Sequence, residues 1–406
     1  MGLIVQKFGG TSVANTEKVM NAANRVIDTY KKGNSVVVIV SAQGHTTDEL
    51  IDKAMEINSN ASKREMDMLL STGEQISIAL LAMALEKLGY PAVSLTGYQA
   101  GMYTDSNYGN ARIKSINTER IFKELDKKNI VIVAGFQGIN KYDDITTLGR
   151  GGSDTTAVAL AAALKADLCE IYTDVDGVYT ADPRIVMNAR KLKDISYDEM
   201  LELASLGANV LHNRSVELAK KYGVNMVVRS SFNKDEGTVV KEVDSVEKMI
   251  VRGVTRDDDV ARIAVLGIED KPGKAFQLFS LLAKENISVD LIIQSIGRED
   301  VKNITFTVSR TNLNKALDTI NMNLGLLGAT EVKYSDKLSK VSIVGAGMVN
   351  HPGVAATMFE ALYDASINIH MISTSEIKIS VLIDAKDAEK AVNFIHNKFK
   401  LDQIVE

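Results

Sequence analysis

The sequence predicts an α/β protein: a mostly parallel sheet sandwiched between two helical layers, followed by two small ferredoxin-like units. In the first part of the chain, short apolar runs alternate with helix-like stretches, as in a sheet that is buried on both faces. Beyond about residue 248, one pattern of elements occurs twice. A chain of 406 residues is also too long for one ordinary core, so more than one domain is expected.

Apolar runs predict the strands of the parallel sheet, and the segments between them predict its helices. The strands are Leu3–Val5, Val36–Val40, Ile130–Ala134 and Glu170–Tyr172. The helices are Glu17–Lys31, Ser71–Leu88, Asn117–Lys127 and Thr155–Leu164. Ligands of such sheets bind beyond the carboxyl ends of the strands, so polar motifs that follow a strand indicate where a site lies.

The repeat in the last part of the chain keeps a fixed register. Pro272 and Pro352 are about 80 residues apart, and so are Gly273 and Gly353. Each copy is predicted to be a βαββαβ unit. Its second strand is Ile304–Val308 or Ile377–Ile383, and its second helix is Leu313–Ile320 or Ala388–Phe399. We expect domains at residues 1–248, 249–337 and 338–406, and the pattern leaves open that the two small units interleave.

Composition excludes several classes of function. A net charge of -5 provides no basic field for nucleic acid or an anionic membrane. Cys169 is the only cysteine, which excludes an internal disulfide, and five histidines do not complete a zinc pattern. No apolar run reaches the ~18 residues of a membrane span, and the N-terminus does not resemble a secretory signal. We expect a cytoplasmic protein without a nucleic-acid partner, a membrane partner or a metal site of its own.

The first polar motif is Lys7-Phe8-Gly9-Gly10-Thr11-Ser12, directly after the first predicted strand. Paired glycines let backbone N–H groups approach phosphate oxygens, and Lys7 can neutralise charge that moves during phosphoryl transfer. A glycine turn with a surface lysine explains the same spacing equally well. The motif is neither a Walker loop nor a dinucleotide fingerprint.

The most informative motif runs from Gly149 to Ala157 and places Arg150 between glycines, ahead of Ser153 and Asp154 at a helix start. The planar guanidinium of arginine matches a carboxylate with two hydrogen bonds. A flexible loop with a capped helix leaves the arginine and the glycines unexplained. The sequence therefore favours an anion site here.

Two motifs near the second strand and the second helix have a structural explanation as well as a functional one. Ser41–Thr47 suits close contact with a polar ligand, but a helix capped by Thr46 or Thr47 explains it too. Glu74 opens a strongly apolar helix, where the helix dipole favours a carboxylate. Its functional interpretation is a counter-charge for a substrate ammonium group.

A last motif, Thr173–Arg184, follows the strand at Glu170–Tyr172 and is dense in turn residues. A nucleotide loop, with Tyr179 packing and Arg184 on phosphate, fits this segment without being required by it. The lone His212 is assigned no catalytic role.

In this order, the motifs resemble those of the aspartate kinases of the amino-acid kinase superfamily, which carry tandem C-terminal ACT domains. The resemblance extends over the whole chain and includes Ile372–Ser380 in the second repeat. It implies the amino-acid kinase fold and transfer of the ATP γ-phosphoryl group to the β-carboxylate of L-aspartate. The product would be 4-phospho-L-aspartate, the first intermediate toward lysine, threonine and methionine. Mg²⁺ would be held mainly through the phosphates of ATP.

The resemblance also implies roles for individual residues, with Lys7 and Asp174 catalytic. The ATP residues would be Lys7, Gly9, Gly10, Thr173, Asp174, Tyr179 and Arg184. The aspartate residues would be Ser41, Thr47, Glu74, Arg150, Ser153 and Asp154, with Arg150 on the α-carboxylate and Glu74 on the amino group. Lysine, alone or with threonine, would inhibit a homo-oligomer joined through its ACT domains, a dimer or a tetramer. The effector residues would be Asp270, Gly273, Gln294, Asn368 and Ile369.

Two positions depart from the family pattern. Asn209 stands where the family often has a lysine that approaches ATP, and Asn213 replaces a proline. We interpret this as a changed nucleotide affinity, because the other motifs are intact. A kinase of glutamate or acetylglutamate and a catalytically silent amino-acid sensor are the alternatives.

Overall fold

The computed structural model describes residues 2–207, 210–242, 250–296 and 301–403. Its internal contacts divide the chain into two compact units. The first contains the chain up to Tyr179, Lys191–Ser205 and the chain from 210 to 242. The second contains Thr180–Arg190, residues 206–207 and the chain from residue 250. The predicted first domain, residues 1–248, therefore includes a segment that packs with the second unit.

The first unit is an α/β structure. Its described strands are β1 (Leu3–Phe8), β2 (Ser35–Val40), β3 (Ala92–Leu95), β4 (Met102–Thr104), β5 (Ile113–Ile116), β6 (Ile130–Ala134), β7 (Gln137–Ile139), β8 (Ile145–Thr147), β9 (Leu168–Thr173), β10 (Asp194–Ser196), β11 (Met226–Ser230) and β12 (Thr238–Lys241). Its helices are α1 (Thr16–Tyr30), α2 (Thr46–Ile57), α3 (Lys63–Leu70), α4 (Thr72–Lys87), α5 (Glu119–Asp126), α6 (Gly152–Leu164), α7 (Tyr197–Ser205) and α8 (Asn213–Tyr222), and Gly10–Val13 forms a 3-10 turn.

Eight strands form the main sheet in the order β10-β12-β11-β9-β1-β2-β6-β3. Its neighbours are parallel except for the pair of β11 and β12. Helices α1 and α4 pack on one face, where Val36, Val38 and Val40 of β2 point into a buried cluster. Helix α6 packs against β1, β2 and β9. The predicted class, a mostly parallel sheet between helices, is confirmed.

The second unit consists of small antiparallel sheets with helices. Its described strands are β13 (Gly253–Asp257), β14 (Ala261–Glu269), β15 (Ile292–Ile296), β16 (Val301–Val308), β17 (Glu331–Ser335), β18 (Leu338–Val344), β19 (Met371–Thr374) and β20 (Lys378–Asp384). Its helices are α9 (Lys274–Lys284), α10 (Leu313–Asn321), α11 (Leu324–Leu327), α12 (Val354–Asp364) and α13 (Ala388–Lys398), with 3-10 turns at Arg310–Asn312, Ala346–Asn350 and Ala385–Asp387.

The two sheets of this unit have the orders β15-β16-β14-β17 and β13-β18-β20-β19. The first copy is βαββαβ along the chain, as predicted. The second takes its remaining strand, β13, from before the first copy, and β13 pairs antiparallel with β18. Residues 253–257 lie in the predicted unit 249–337, yet they complete the sheet of the unit predicted at 338–406.

Backbone geometry repeats with the sequence. Gly273 and Gly353, each before the first helix of its copy, have φ of 93° and 102°. Asn286 and Ser366, after those helices, have φ of 57° and 55°. Only glycine adopts this region freely, and asparagine and serine pay a modest strain in it. Equivalent positions thus make equivalent turns.

Several elements differ in length from the predictions. β1 extends to Phe8, so Lys7 lies inside the strand and not after it. Helix α6 starts at Gly152, earlier than predicted, and so includes Ser153 and Asp154 in its first turn, while Arg150 lies in the loop before it. The short strands β4, β5, β7 and β8, which form a separate sheet, were not predicted.

The helical stretch Lys63–Lys87 has a mean hydropathy of 1.5 and, by length and composition alone, could cross a membrane. The sequence analysis expected no such stretch. Ile78, Leu81 and Leu85 in it are buried in the core beside the main sheet. A core helix meets the same criterion, so the apolar composition is explained by packing.

Candidate active site

A cleft of about 260 Å³ opens beyond the carboxyl ends of β1, β2 and β6, where the topology predicts a ligand. Its walls carry eight residues that the sequence analysis had assigned to ATP or aspartate, contributed by widely separated segments of the first unit. They are Lys7, Gly10, Ser41, Thr47, Glu74, Arg150, Ser153 and Asp154. The six residues assigned to aspartate are therefore brought together, and their roles are taken up below as proposals.

The floor of the cleft is formed where β1 ends. The N–H group of Gly9 donates to the carbonyl of Tyr172 at 3.1 Å, which holds the glycine turn against the end of β9. A Cβ atom on Gly10 would lie 2.6 Å from the carbonyl oxygen of Ala42. Glycine is thus required at this position for close packing of two backbones.

An ion pair crosses the cleft. Lys7 Nζ lies 2.6 Å from Asp154 Oδ1, and the two side chains are 10% and 13% exposed. A charged pair so little exposed to water is screened weakly, so its attraction is stronger than that of a surface pair. Asp154 therefore fixes the ammonium group of Lys7 at the mouth of the glycine turn.

Glu74 lies on the opposite wall, in the first turn of α4, and is 3% exposed. Its Oε1 accepts a hydrogen bond from the N–H of Ala42 at 3.1 Å, and its Oε2 has no hydrogen-bond partner among the described residues. Burial raises the pKa of this carboxyl group to about 7, although the Ala42 hydrogen bond opposes the shift. A buried carboxyl oxygen without a partner indicates a place for a cationic ligand group.

The loop before α6 carries Arg150 between two left-handed glycines, Gly149 with φ of 78° and Gly151 with φ of 68°. The helix then begins, with Ser153 and Asp154 in its first turn. Ser153 packs so closely on the end of β6 that a Cβ atom on Gly135 would lie 2.6 Å from its Oγ. The loop thus presents an exposed guanidinium group beside a helix N-terminus, a combination that suits an anion.

The structure does not bring every predicted ATP residue to the cleft walls. Thr173 is the last residue of β9 and Asp174 follows it, and the Thr173 hydroxyl donates to Asp174 at 3.0 Å. Tyr179 donates its phenol proton to Asp176 at 2.9 Å. Arg184 belongs to the second unit and pairs with Asp182 at 2.7 Å.

Asn209, the departure from the family pattern, lies outside the described residues. Its neighbour Asn213, which replaces a proline, is the first residue of α8. The amide of Asn213 donates to the Ser205 hydroxyl at 2.8 Å, so it ties the end of α7 to the start of α8.

Sequence reasoning missed Phe136, which lines the cleft with a φ of 69°. Its N–H donates to the Thr156 hydroxyl at 3.1 Å, and its carbonyl accepts from the N–H of Leu148 at 2.8 Å. A left-handed aromatic residue is uncommon and persists only where its surroundings fix it. The available signal was its position two residues after the predicted strand Ile130–Ala134.

The predicted effector residues lie at turns and in one strand of the second unit. Asp270 pairs with Lys302 at 2.6 Å, Gly273 precedes α9 and Gln294 lies in β15. Asn368 and Ile369 precede β19, and Ile369 packs against the buried cluster of the second copy.

Comparison with known proteins gives the family. The amino acid kinase family profile matches residues 2–230, and an ACT domain profile matches residues 263–324 and 341–399. An aspartokinase from Geobacillus stearothermophilus is 56% identical over 402 residues, which cover 99% of this chain and 98% of that protein.

Solved structures agree with the sequence comparison. Escherichia coli aspartokinase III in complex with aspartate and ADP, in the R-state, matches with a TM-score of 0.82 at 27% identity and covers 98% of this chain and 99% of that one. The same enzyme with lysine and aspartate, in the T-state, matches with a TM-score of 0.76 at 26% identity and the same coverage. The chain belongs to the aspartokinases of the amino acid kinase family, which are phosphotransferases with ACT domains.

Proposed function

We propose that the cleft binds L-aspartate and that the chain transfers the γ-phosphoryl group of ATP to its β-carboxylate, giving 4-phospho-L-aspartate. The observation that carries the proposal is the free Oε2 atom of buried Glu74, in a cleft whose other walls carry Arg150, Ser153 and the Lys7–Asp154 pair. An α-amino acid offers an ammonium and a carboxylate group, which suit Glu74 and Arg150 respectively. The aspartate and ADP bound by aspartokinase III support both substrates.

The chemistry needs charge stabilisation more than proton transfer. An aspartate side chain has a pKa near 3.9, so the attacking carboxylate is already ionised at neutral pH and needs no general base. The difficulty is to bring that anion to a polyanion, which demands fixed positive charge and N–H donors along the phosphates. Lys7, held by Asp154, supplies the charge, and the N–H group of Gly10 supplies a donor. Gly9 shapes the turn that presents this donor, because its own N–H group is bonded to the carbonyl of Tyr172. Ser153 orients the reacting end of aspartate.

The remaining ATP residues are proposed from the resemblance to the aspartate kinases. We assign Thr173, Asp174 and Tyr179, at and after the end of β9, to the nucleotide, with Asp174 catalytic. Arg184, which belongs to the second unit, is proposed for the phosphates on the same resemblance. Within the described residues, no three His, Cys, Asp or Glu side chains lie together as a metal site. Mg²⁺ is commonly held by one or two carboxylates together with substrate phosphates, and the exposed carboxylate of Asp174 fits that pattern.

Regulation belongs to the second unit in this proposal. Lysine, alone or with threonine, would bind at Asp270, Gly273, Gln294, Asn368 and Ile369 and inhibit a homo-oligomer, a dimer or a tetramer, formed through the ACT units. Lysine is bound to the T-state structure of aspartokinase III, which supports this choice of effector. We propose that the enzyme catalyses the first step toward lysine, threonine and methionine in the cytoplasm, and we keep the division at residues 248 and 337 as the proposed domain plan.

The direct test measures ADP production from ATP with a panel of amino acids, each with and without lysine and threonine. We expect aspartate alone to support rapid turnover and lysine to reduce it. Turnover with glutamate or acetylglutamate in place of aspartate would overturn the substrate, and no turnover with any of them would favour a sensor.

Lys7→Ala tests the catalytic assignment in the same assay. Loss of a preorganised charge at the phosphates should lower kcat by about 10²–10³, with a smaller change in the KM for aspartate. Lys87→Ala removes an exposed charge at the end of α4 and serves as the control. An unchanged kcat in Lys7→Ala would refute the role of Lys7.

A further inference from the structure

Asp67, a side chain of α3 that does not line the cleft, is 1% exposed and binds the backbone just before the Arg150 loop. Its carboxylate accepts from the N–H of Gly109 at 2.9 Å, from the N–H of Thr147 at 2.9 Å and from the Thr147 hydroxyl at 2.7 Å. It therefore joins the loop between β4 and β5 to the end of β8, two residues ahead of Gly149.

Arg214, in the first turn of α8, binds the same two segments. Its Nη1 donates to the carbonyl of Leu148 at 2.9 Å and its Nη2 to the carbonyl of Ala111 at 2.8 Å. Burial lowers the pKa of this half-buried guanidinium group, and both of these hydrogen bonds go to backbone carbonyls. Charge-assisted hydrogen bonds to the backbone stabilise that backbone arrangement, and they are costly to lose when the charge is partly buried.

The two side chains are complementary. Asp67 accepts from N–H groups of segments 109–111 and 147–148, and Arg214 donates to carbonyls of the same segments. The segments also bond to each other, since the N–H of Ala111 donates to the carbonyl of Thr147 at 2.8 Å. Both anchors are placed immediately before the left-handed turn at Gly149, so they set where Arg150 begins.

The residue before α8 also packs closely against the end of the Arg150 loop. A Cβ atom on Gly151 would lie 2.2 Å from Cγ of His212, the residue that precedes α8. The Arg150 loop is therefore fixed by hydrogen bonds at its entry and by steric contact at its exit.

We propose that Asp67 and Arg214 are positioning residues for aspartate binding, acting through the backbone at residues 109–111 and 147–148 to place the guanidinium group of Arg150. The proposal rests on the function proposed above for Arg150. Neither residue touches the substrate, and neither had been assigned a role by sequence reasoning. Their effect should fall on aspartate and not on ATP, since the predicted nucleotide residues lie in or after the ends of β1 and β9 and not in the segments that Asp67 and Arg214 bind.

The test compares Asp67→Asn, Arg214→Met and the double variant in steady-state kinetics of the full chain. Asparagine cannot accept three hydrogen bonds without turning its NH₂ group toward an N–H donor, and methionine cannot donate to a carbonyl. We expect each variant to raise the KM for aspartate about tenfold or more, with the KM for ATP within about twofold. Because both act on one junction, the double variant should exceed the worse single variant by no more than about threefold.

Control variants separate a specific loss of aspartate binding from a general loss of folding or stability. Arg214→Lys keeps the charge and can reach one carbonyl, so it should restore part of the aspartate affinity lost in Arg214→Met. Arg120→Met removes a half-exposed arginine that pairs with Glu124 on α5 and should change neither KM. Melting temperatures are measured for all variants, and the Arg214 pair decides the question if Asp67→Asn does not fold.

Arg150→Met distinguishes failure of this inference from failure of the proposed site. An unchanged KM for aspartate in Arg150→Met overturns the assignment of Arg150 itself. A raised value there, with unchanged values in the Asp67 and Arg214 variants, overturns only the positioning role. Parallel increases in both KM values, or effects that multiply in the double variant, also overturn it.

Discussion

The surroundings of Glu74 in the structure indicate a role that its position in the sequence did not require. In the sequence, the helix dipole was enough to explain a glutamate at this position. In the structure, the Glu74 side chain is buried and its Oε2 atom is free, which favours a cationic partner. The difference arises because burial depends on β2 and the segment after it, which lie more than thirty residues away along the chain.

The raised pKa of Glu74 predicts a pH dependence of substrate binding. An ammonium group binds the carboxylate and not the neutral acid, so the KM for aspartate should fall about tenfold between pH 6 and pH 8 if the pKa is about 7. Glu74→Gln cannot ionise, so its KM should be high and independent of pH. Steady-state kinetics across this range give the measurement.

Glu86→Gln, at the exposed end of the same helix, is the matched control and should behave like the parent enzyme. A pH-independent KM in the parent would contradict the prediction.

The raised pKa of Glu74 also makes the stability of the ligand-free protein depend on pH. Because the pKa of this carboxyl group is raised above its ordinary 4.5, the folded state binds the proton more tightly than the unfolded state does. This contribution to the free energy of unfolding is fully present at low pH and is lost as the pH rises toward 7.

The resemblance of the motifs to those of the aspartate kinases was enough to name the cleft residues. From the residue types alone, the Gly149–Ala157 motif favoured a site most clearly, because an arginine among glycines has few structural explanations. Neither was enough to name Asp67 or Arg214. Their partners are backbone atoms in other segments and the Thr147 hydroxyl, so no residue type near them in the sequence marks the interaction. Phe136 was missed because its left-handed backbone has no signature in an aromatic residue.

At the scale of elements, apolar runs located β2 and β6 well because these strands are buried on both faces. The prediction for β9, Glu170–Tyr172, found only the middle of the strand Leu168–Thr173. The strands of the small sheet, with β4, β7 and β8 only three residues each, are too short to show a period. The extension of β1 to Lys7 was missed because a polar pair, Gln6 and Lys7, interrupts the apolar run. Both side chains are buried, and tertiary contacts overrode the local pattern.

The turn into α6 gives a prediction with an internal control. Gly151→Ala adds a Cβ atom where φ is 68° and where His212 occupies the space. Gly223→Ala adds one at φ of 64° with nothing within 4 Å. Both should lose about 1–2 kcal/mol from the left-handed backbone, but only Gly151→Ala should also raise the KM for aspartate. Thermal unfolding and kinetics of the two variants make the comparison, and equal kinetics would contradict the importance of the His212 contact.

At the scale of the molecule, the 80-residue repeat identified both ACT units, and the equal φ values at Gly273 and Gly353 show that the copies share turn geometry. What the repeat could not show is which strand completes each sheet. Strand pairing depends on packing across the unit, and Val254 of β13 belongs to the buried cluster of the second copy. Ala181 and Val186 belong to that cluster as well, although their segment continues the proposed nucleotide loop.

That packing changes what to expect from a truncated chain ending at residue 248. Removing the second unit exposes the apolar residues of Thr180–Arg190, so the truncated chain should melt lower and aggregate more than the parent. Val186→Ser in the truncated chain should reduce the aggregation, as light scattering would show. Any soluble truncated enzyme should be insensitive to lysine, and full lysine inhibition of it would refute the regulatory placement.

The pairing of β13 with β18 has a consequence for biosynthesis. The first ACT sheet uses contiguous chain and can close as soon as Ser335 has left the ribosome. β13 is made ~80 residues before its partner, a wait of roughly 4–16 s at common rates of synthesis. Since Arg262 and Ser335 are paired neighbours, the chain enters and leaves the first sheet at one point. The earlier module therefore folds as a loop-like insertion that returns the nascent chain to β13, so that β18 can pair with β13 as soon as it has been made.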